Sequence, residues 1–251
     1  METGASVRDC YASGKSDGAG RCALNLLPRK LAVADAAVET WLLCLDINAF
    51  HQQQCAQLLS DDERERAARF HSERDRARYI AAHGLLRVLL GNSLRAPPHA
   101  IEISQSPSGK PCLADAAPAT HFNLSHSGNV AVYAICRHAE PGIDIEQLDR
   151  KVDHDGLAQK FFSRREQIEL ERVPIARRKH AFLTCWTRKE AVVKATGDGL
   201  RVPLREVEVT VDPDTPPRLI GIPHANAADW TLHALDAGSA CTATLALHRA
   251  K

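Results

Sequence analysis

Two short segments carry the residues of this sequence that could do chemistry, and the first is an acidic strand. In the run from Gly142 to Glu146, Asp144 and Glu146 alternate with two isoleucines. A strand sends both carboxylates to one face and both isoleucines to the other. Two adjacent carboxylates repel each other unless a cation neutralises them, and Mg²⁺ prefers such oxygen ligands. The segment therefore predicts a strand whose acidic face can hold a magnesium ion.

The second segment, residues 186–194, has the spacing of a helix. Trp186, Glu190 and Val193 share one helical face, and Glu190 and Lys194 are four residues apart. The helix can therefore add a third carboxylate and a lysine to the acidic strand. Each feature alone has an ordinary structural explanation, because acidic pairs border many strands and Glu–Lys pairs stabilise exposed helices.

A third segment offers groups that can meet phosphate oxygens. Phe122 and Leu124 alternate with polar residues, and Ser125 and His126 lie just before a turn at Gly128. Hydroxyl and imidazole groups hydrogen-bond phosphate oxygens. The alternative for His126 is a hydrogen-bonded structural histidine. Together the three segments predict a site for a phosphorylated ligand and a divalent cation.

Composition sets the outer bounds. The chain has 251 residues, 44% of them hydrophobic, and a net charge of +1, which gives no general attraction to nucleic acid or membranes. Its eight cysteines form no Cys-x-x-Cys pair, so neither a zinc site nor a disulfide framework is indicated. The sequence shows neither a signal peptide nor a run of about twenty apolar residues. We therefore expect a cytoplasmic protein with reduced thiols.

The order of the expected elements repeats along the chain. Residues 1–22 are expected to be a flexible extension. A strand is expected at 38–47 and a helical region from Ser60 to about residue 90, followed by strands at 101–104 and 120–136. After the helix ending near Thr196, strands are expected at 207–210, 217–220 and 230–247, an offset of about 106 residues.

This repeat predicts an α+β fold made of two similar halves, residues 23–141 and 142–251, packed as an intramolecular pseudo-dimer. We expect the ligand to lie in the cleft between the halves, where Ser125 and His126 face the carboxylates of the second half. Phe161, Phe162 and Trp186 are expected to be core residues.

At this point the motifs match a family. The ordered motifs are Gly109-Lys110-Pro111, Phe122-Asn123-Leu124-Ser125-His126-Ser127, Gly142-Ile143-Asp144-Ile145-Glu146, Phe161-Phe162-Ser163-x-x-Glu166 and Trp186-x-x-Lys189-Glu190-Ala191-x-x-Lys194-x-x-Gly197-x-Gly199-Leu200. In order and spacing they resemble the 4′-phosphopantetheinyl transferases of the surfactin-synthetase-activating type. The resemblance covers residues 38–247, and five ordered motifs are far more specific than one.

The resemblance implies transfer of the phosphopantetheine arm of coenzyme A to a serine of an apo acyl or peptidyl carrier protein, with release of adenosine 3′,5′-bisphosphate. It implies Mg²⁺ held by Asp144, Glu146 and Glu190, and Lys194 as the residue that stabilises or protonates the departing phosphate. Glu166 is the preferred general base for the serine, and Glu190 acting through a metal-bound water is the competing assignment.

On the nucleotide side, the resemblance places Lys110 and Pro111 against adenine, and Ser125 and His126 near the phosphates. It places Arg78 on the 3′-phosphate, a dianion that suits a bidentate guanidinium. The match is imperfect upstream. Glu63 stands where relatives can carry a phosphate-binding lysine, although Arg66 supplies charge nearby.

Other classes of protein remain as alternatives. A metal-dependent phosphodiesterase or nuclease would use the same carboxylates but would need no carrier protein. A nucleic-acid-binding module is disfavoured, because the acidic residues between positions 61 and 75 offset the arginines between positions 64 and 78. A non-catalytic paralogue conflicts with the presence of every acidic and lysine position of the motif. We expect a monomer, with Arg177, Arg178 and Lys179 as contacts for acidic carrier surfaces.

Overall fold

A computed structural model describes residues 28–114, 120–197 and 202–249. The predicted flexible extension at residues 1–22 lies outside these ranges, as do Gly199 and Leu200 at the end of the last motif. The chain divides into two compact units, which are described separately below. The first consists of Met1–Arg29 and Leu43–Ile101, and the second of Lys30–Leu42 and Glu102–Lys251.

Helices build the first unit. They are α1 (Ala49–Leu58), α2 (Asp61–Ala68) and α3 (Glu73–Leu94), followed by a short 3-10 turn at Pro98–Ala100. The predicted helical region is therefore broken at residues 69–72, because Ser72 caps a new helix by accepting a hydrogen bond from the Asp75 amide. α1 lies against α3, and a Cβ added at Gly84 would come within 2.5 Å of the Cβ of Cys55.

The second unit holds the sheets and three more helices. A four-stranded sheet has the order β1-β2-β6-β5, and a three-stranded antiparallel sheet has the order β10-β11-β7. Two short hairpins, β3–β4 and β8–β9, complete the strands. The elements are β1 (Arg29–Leu31), β2 (Val38–Cys44), β3 (Ile103–Gln105), β4 (Pro111–Leu113), β5 (His121–Ser127), β6 (Val130–Cys136), β7 (Glu140–Gln147), α4 (His154–Phe161), α5 (Arg164–Arg172), α6 (Ile175–Thr196), β8 (Glu208–Val209), β9 (Leu219–Gly221), β10 (Trp230–Leu235) and β11 (Cys241–His248).

The predicted α+β class is confirmed, and the order of elements repeats. One strand, three helices and four strands occur first as β2 to β6 and again as β7 to β11. Strand order repeats as well, since β6 lies between β2 and β5 just as β11 lies between β7 and β10. The two compact units do not coincide with the halves drawn from the sequence, and the boundary at residues 141 and 142 falls inside β7. The division into those halves and their packing as a pseudo-dimer stay predictions.

Helix α6 packs on the face of β7 that carries the carboxylates. A Cβ added at Gly142 would lie only 1.9 Å from the carbonyl oxygen of Ala191, so glycine is required for this close approach. Further along, the hydroxyls of Thr187 in α6 and Thr244 in β11 are 3.2 Å apart, and Thr244 lies opposite Asp144 in the sheet. The helix therefore lies over the acidic face of the strand.

The alternation predicted for β7 is present, but both of its faces are buried. Ile143 and Ile145 are almost fully buried, and Asp144 and Glu146 are only 5% and 7% exposed. Phe162 is a core residue as expected, whereas Phe161 and Trp186 pack partly buried against the core. Within the described ranges the cysteines are all free thiols, and no helix is both long and apolar enough to cross a membrane.

Candidate active site

Polar side chains of β5 bridge to β7 and hold the acidic strand in place. The amide oxygen of Asn123 accepts a hydrogen bond from the backbone N–H of Ile143 at 2.8 Å. The hydroxyl of Ser127 accepts one from the N–H of Gln147 at 3.2 Å. Because these groups are buried, the hydrogen bonds fix the position of β7 relative to β5.

Asp144 lies at the centre of the site. Its Oδ1 accepts hydrogen bonds from the Ser125 hydroxyl at 2.7 Å and from the Lys194 ammonium at 2.6 Å. Lys194 also donates to the Ser125 hydroxyl at 3.0 Å. The other oxygen, Oδ2, is buried without a hydrogen-bond partner. A buried carboxylate oxygen without a donor is costly, and a bound cation would satisfy it.

Glu146, two residues further along β7, has a similar set of partners. Its Oε2 accepts a hydrogen bond from the Ser127 hydroxyl at 2.7 Å, and its Oε1 is paired with the guanidinium of Arg150. Burial raises the pKa of Glu146, and the charge of Asp144 adds to the rise, against the lowering effect of the Ser127 hydrogen bond. Asp144 and Glu146 thus each have one serine from β5 and one cation of the chain.

Glu190 is electrostatically linked to both carboxylates. Burial raises its pKa, and the negative charges of Asp144 and then Glu146 add to the rise, while Lys194 opposes it. Nevertheless, in the part of the chain that the structure describes, no three Asp, Glu, His or Cys side chains stand close enough together to hold a metal ion. The predicted residues are therefore close enough for their charges to interact. Their three carboxylates are not arranged as a coordination shell.

The geometry argues against Glu166 as the general base. Its side chain is fully buried, and its Oε2 accepts hydrogen bonds from the Lys189 ammonium at 2.5 Å and the Ser163 amide at 2.8 Å. Its Oε1 accepts one from the Val209 amide at 2.9 Å. In this geometry the carboxylate has no exposed surface that an incoming serine could approach, so its role as the base stays a prediction. Its role is to cap α5 and to tie α5 to α6.

Lys110 and Pro111 line a cavity in the second unit. The cavity has a volume of about 350 Å³ and lies where the β3–β4 turn meets the starts of β5 and β7 and the end of α6. The ammonium of Lys110 donates to Oε2 of Glu140 at 2.8 Å and to the carbonyl oxygen of Pro141 at 3.2 Å. The lining residues are Ser106, Pro107, Ser108, Lys110, Pro111, Cys112, Leu113, Thr120, His121, Phe122, Glu140, Thr196 and Gly197.

His126 is separated from Ser125 by the alternation of the strand. Ser125 is buried between β5 and β7, whereas His126 is exposed, because adjacent residues of a strand point to opposite faces. The structure therefore places Ser125 with Asp144 and Lys194 but does not place His126 with them. A phosphate contact for His126 stays a prediction.

The predicted 3′-phosphate residues belong to the first unit. The guanidinium of Arg78 makes two hydrogen bonds to the carboxylate of Asp46, at 2.7 and 2.9 Å. Arg66 lies over the ring of Tyr79 and is exposed. Glu63 is paired with Arg87 at 2.6 Å, which gives it a structural role in this unit. Their contacts with a phosphate stay predictions.

Two of the three predicted carrier contacts are already engaged. Arg177 is paired with Asp214 at 2.6 Å. Arg178 donates to the backbone carbonyl oxygens of Val173 and Glu171. Their use by a carrier protein stays a prediction and would require these pairings to change.

Ser125 and Lys194 contact Asp144, whereas the two partners of Glu146 are not predicted by the sequence. Ser127 was part of a quoted motif but was given no role, and Arg150 was not considered. A signal for Ser127 was available, since Ser125 and Ser127 share a face of β5 just as Asp144 and Glu146 share a face of β7. Arg150 follows β7 after a turn, and no periodicity predicts its contact.

Comparison with known proteins identifies the class. The profile of the 4′-phosphopantetheinyl transferase superfamily matches residues 140–245, and that of the 4′-phosphopantetheinyl transferase N-terminal region matches residues 49–138. The chain is 36% identical over 222 residues to the 4′-phosphopantetheinyl transferase HetI of Nostoc sp., covering 88% of this chain and 91% of HetI. It is 32% identical over 157 residues to the 4′-phosphopantetheinyl transferase Sfp of Bacillus subtilis, covering 62% of this chain and 68% of Sfp.

A solved structure gives a more distant likeness. The holo-[acyl-carrier-protein] synthase of Thermotoga maritima is similar over 45% of this chain and 64% of its own, at 20% identity and a TM-score of 0.36. That likeness is too remote to bear on the site. The chain belongs to the 4′-phosphopantetheinyl transferase superfamily. The predicted resemblance and enzyme class are confirmed, and the alternative of a phosphodiesterase or nuclease is not supported.

Proposed function

We propose that Asp144, Glu146, Glu190 and Lys194 form the reaction centre of this transferase. The enzyme moves the phosphopantetheine arm of coenzyme A to a serine of a carrier protein. The observation that supports this centre is the buried, unpartnered Oδ2 of Asp144 beside a lysine and two carboxylates of raised pKa. Such an arrangement can accept a cation and the phosphates that the cation binds.

A magnesium ion suits the donors present, which are hard carboxylate oxygens. We propose Asp144, Glu146 and Glu190 as its ligands. When bound, such an ion neutralises the diphosphate and makes its phosphorus more electrophilic. The requirement for magnesium, the monomeric state and a cytoplasmic location stay proposals.

Lys194 is the cation of the chain that can act on the leaving group. Its ammonium is about a quarter exposed and contacts Asp144 and Ser125, so it is oriented while part of it faces outward. In transfer, the carrier serine oxygen forms a bond to phosphorus, and the bond from that phosphorus to the nucleotide phosphate breaks. Lys194 neutralises the charge that develops on the released nucleotide.

Glu190 is the base that the geometry favours, since Glu166 is buried in an ion pair. Burial and the neighbouring carboxylates raise the pKa of Glu190 in the metal-free chain, and its side chain is only partly buried, so water can reach it. In this proposal Glu190 receives the serine proton through water.

The cavity at Lys110 and Pro111 is the proposed place for the adenine of coenzyme A. It lies at the start of β7 beside Glu140, four residues before Asp144, or about 13 Å along a strand. Its volume of about 350 Å³ is in the range of small-molecule sites. A nucleotide with its base in this cavity can extend its diphosphate along β7 toward Asp144.

The test is a transfer assay read by mass spectrometry. The purified chain is incubated with coenzyme A, Mg²⁺ and apo carrier proteins from fatty-acid, polyketide and nonribosomal peptide systems. We expect a carrier mass gain of one phosphopantetheine, lost with Asp144→Asn or with a magnesium chelator and kept with Asp149→Asn as the matched control. Transfer that persists in Asp144→Asn at the wild-type rate would overturn the proposed centre.

A further inference from the structure

A three-residue ionic cluster lies in the wall of the cavity, and the proposed reaction uses only one of its members. The cluster consists of Lys110, Glu140 and His121. The carboxylate of Glu140 joins the other two, with Oε2 at 2.8 Å from the Lys110 ammonium and Oε1 at 2.5 Å from Nδ1 of His121. All three residues line the cavity.

Glu140 is held in one orientation but remains accessible. Its two partners fix one oxygen each, so the carboxylate cannot rotate freely. Its side chain is still 40% exposed, compared with 13% for Lys110. An ionised carboxylate has about four lone-pair sites and donates no hydrogen bond. The contacts with Lys110 and His121 therefore leave acceptor sites that a ligand in the cavity can use.

The other side chains of the wall, apart from Lys110 and His121, cannot supply the same discrimination. Pro107, Pro111, Leu113 and Phe122 offer apolar surface, and the serine and threonine hydroxyls can donate or accept as the ligand requires. A wall built only from such groups would not distinguish an amino group from a carbonyl group on the same ring. A fixed carboxylate distinguishes them, because it attracts an N–H donor and repels a carbonyl oxygen.

We propose that Glu140 is a specificity residue that selects a purine bearing an exocyclic amino group and disfavours the same purine bearing an oxo group. This inference rests on the proposed function, in which the base of coenzyme A occupies the cavity. Lys110 and His121 act as positioning residues that hold the Glu140 carboxylate toward the ligand.

The first experiment needs no variant. Binding of coenzyme A to the wild-type chain is compared by calorimetry with binding of its analogue in which hypoxanthine replaces adenine. We expect the analogue to bind about tenfold more weakly, since it replaces a hydrogen bond to a half-exposed carboxylate by a repulsion between two acceptors. Equal affinity of the two ligands would overturn the role of Glu140.

A matched pair of variants tests whether the preference for the amino-bearing purine comes from Glu140. Glu140→Gln should reduce the tenfold preference to about twofold or less, because an amide presents either a carbonyl or an amino group to the ligand. Glu102→Gln makes the same change at an exposed carboxylate that does not line the cavity, and should keep the full preference. If Glu140→Gln instead tightened both ligands equally, the carboxylate would only repel their phosphates and the proposal would be wrong.

The failure of this inference can be told apart from the failure of the proposed site. Cys112 lines the same cavity and is partly exposed, so coenzyme A in the cavity should slow its alkylation, measured by peptide mass mapping. Protection of Cys112 without a preference between the ligands would leave the cavity as the nucleotide site and remove the role of Glu140. Binding without protection would move the base elsewhere and overturn both.

Discussion

At the scale of single residues, the acidic site is built from two similar sets of three side chains. Asp144 is joined to Ser125 and Lys194, and Glu146 to Ser127 and Arg150. In each set a buried carboxylate has a hydroxyl from β5 and a cation of the chain. This arrangement keeps two adjacent negative charges stable inside the protein when no other cation is bound.

Ser125 should matter for stability and for rate. Ser125→Ala removes the hydroxyl that Asp144 and Lys194 share, so we expect a loss of about 1–2 kcal/mol of unfolding free energy. We also expect a roughly tenfold lower transfer rate, because both groups lose orientation. Denaturant unfolding and the mass assay measure the two effects. Ser104→Ala, at an exposed serine, is the control and should change neither. A Ser125→Ala variant equal to wild type in both would contradict this role.

Residue-level prediction succeeded where a local period decides the outcome. The alternation of Asp144 and Glu146 with isoleucines is a property of any strand, so the sequence was sufficient. The base role of Glu166 stays a prediction, and the spacing Ser163-x-x-Glu166 is also the signature of a helix capping box, which the structure shows. Lys189 was not predicted as a partner because its contact with Glu166 depends on the packing of two helices. Arg150 was not predicted because the turn that brings it to Glu146 follows no regular period.

At the scale of elements, a buried ion pair joins two helices. Glu166 in α5 and Lys189 in α6 are both fully buried. Lys189→Met should cost about 3–5 kcal/mol of unfolding free energy, because it leaves a buried carboxylate without its cation. Adding Glu166→Gln should restore part of this loss, and the double variant should still transfer phosphopantetheine at a temperature where it is folded. A loss of kcat of a hundredfold or more in folded Glu166→Gln would return the base role to this residue.

A second cluster, formed by Glu63 of α2 with His83 and Arg87 of α3, predicts that the stability of the fold depends on pH. Although burial raises the pKa of Glu63, hydrogen bonds from His83, Ser60 and Arg87 lower it to about 2. A carboxyl with a lowered pKa stabilises the fold above its ordinary pKa of 4.5, and this contribution is lost as the pH falls toward 2.

The expected loss at Glu63 is measurable by comparison with Glu63→Gln. Between pH 6 and pH 3, the difference in unfolding free energy between wild type and variant should shrink by about 2 kcal/mol. Denaturant titrations at the two pH values give this difference, and titrating groups that do not contact Glu63 cancel in it. Glu65→Gln, at an exposed carboxylate of the same helix, should show no such change. A constant difference for Glu63→Gln would contradict the ionic role.

The prediction of elements was weakest for short helices and for helix boundaries that a capping residue sets. α1 was missed because its apolar residues follow no clear helical period. The break between α2 and α3 was missed because Ser72, which starts α3, lies within a run of charged residues. Strands near 38–44, 121–136 and 230–248 were predicted, since runs of apolar, β-branched and aromatic residues mark them.

At the scale of the whole molecule, the order of elements occurs twice along the chain, whereas the site combines elements from both repeats. Strand, three helices and four strands occur twice, but the serine pair lies on β5, the carboxylates on β7 and the lysine on α6. The sequence repeat predicted this order, because each repeat carries its own apolar periods. It could not predict how the chain divides into compact units, which depends on packing between distant segments.

In the proposed site Asp144, Glu146 and Glu190 hold one divalent cation together, and direct binding of such an ion is the sharpest test. Mn²⁺, which replaces Mg²⁺ in oxygen sites, is titrated into the chain with coenzyme A present and followed by its paramagnetic resonance signal. We predict one bound ion per chain, weakened at least tenfold by Asp144→Asn and by Glu190→Gln and unchanged by Glu171→Gln at an exposed position. Binding to Glu190→Gln as tight as to wild type would contradict the three-carboxylate site.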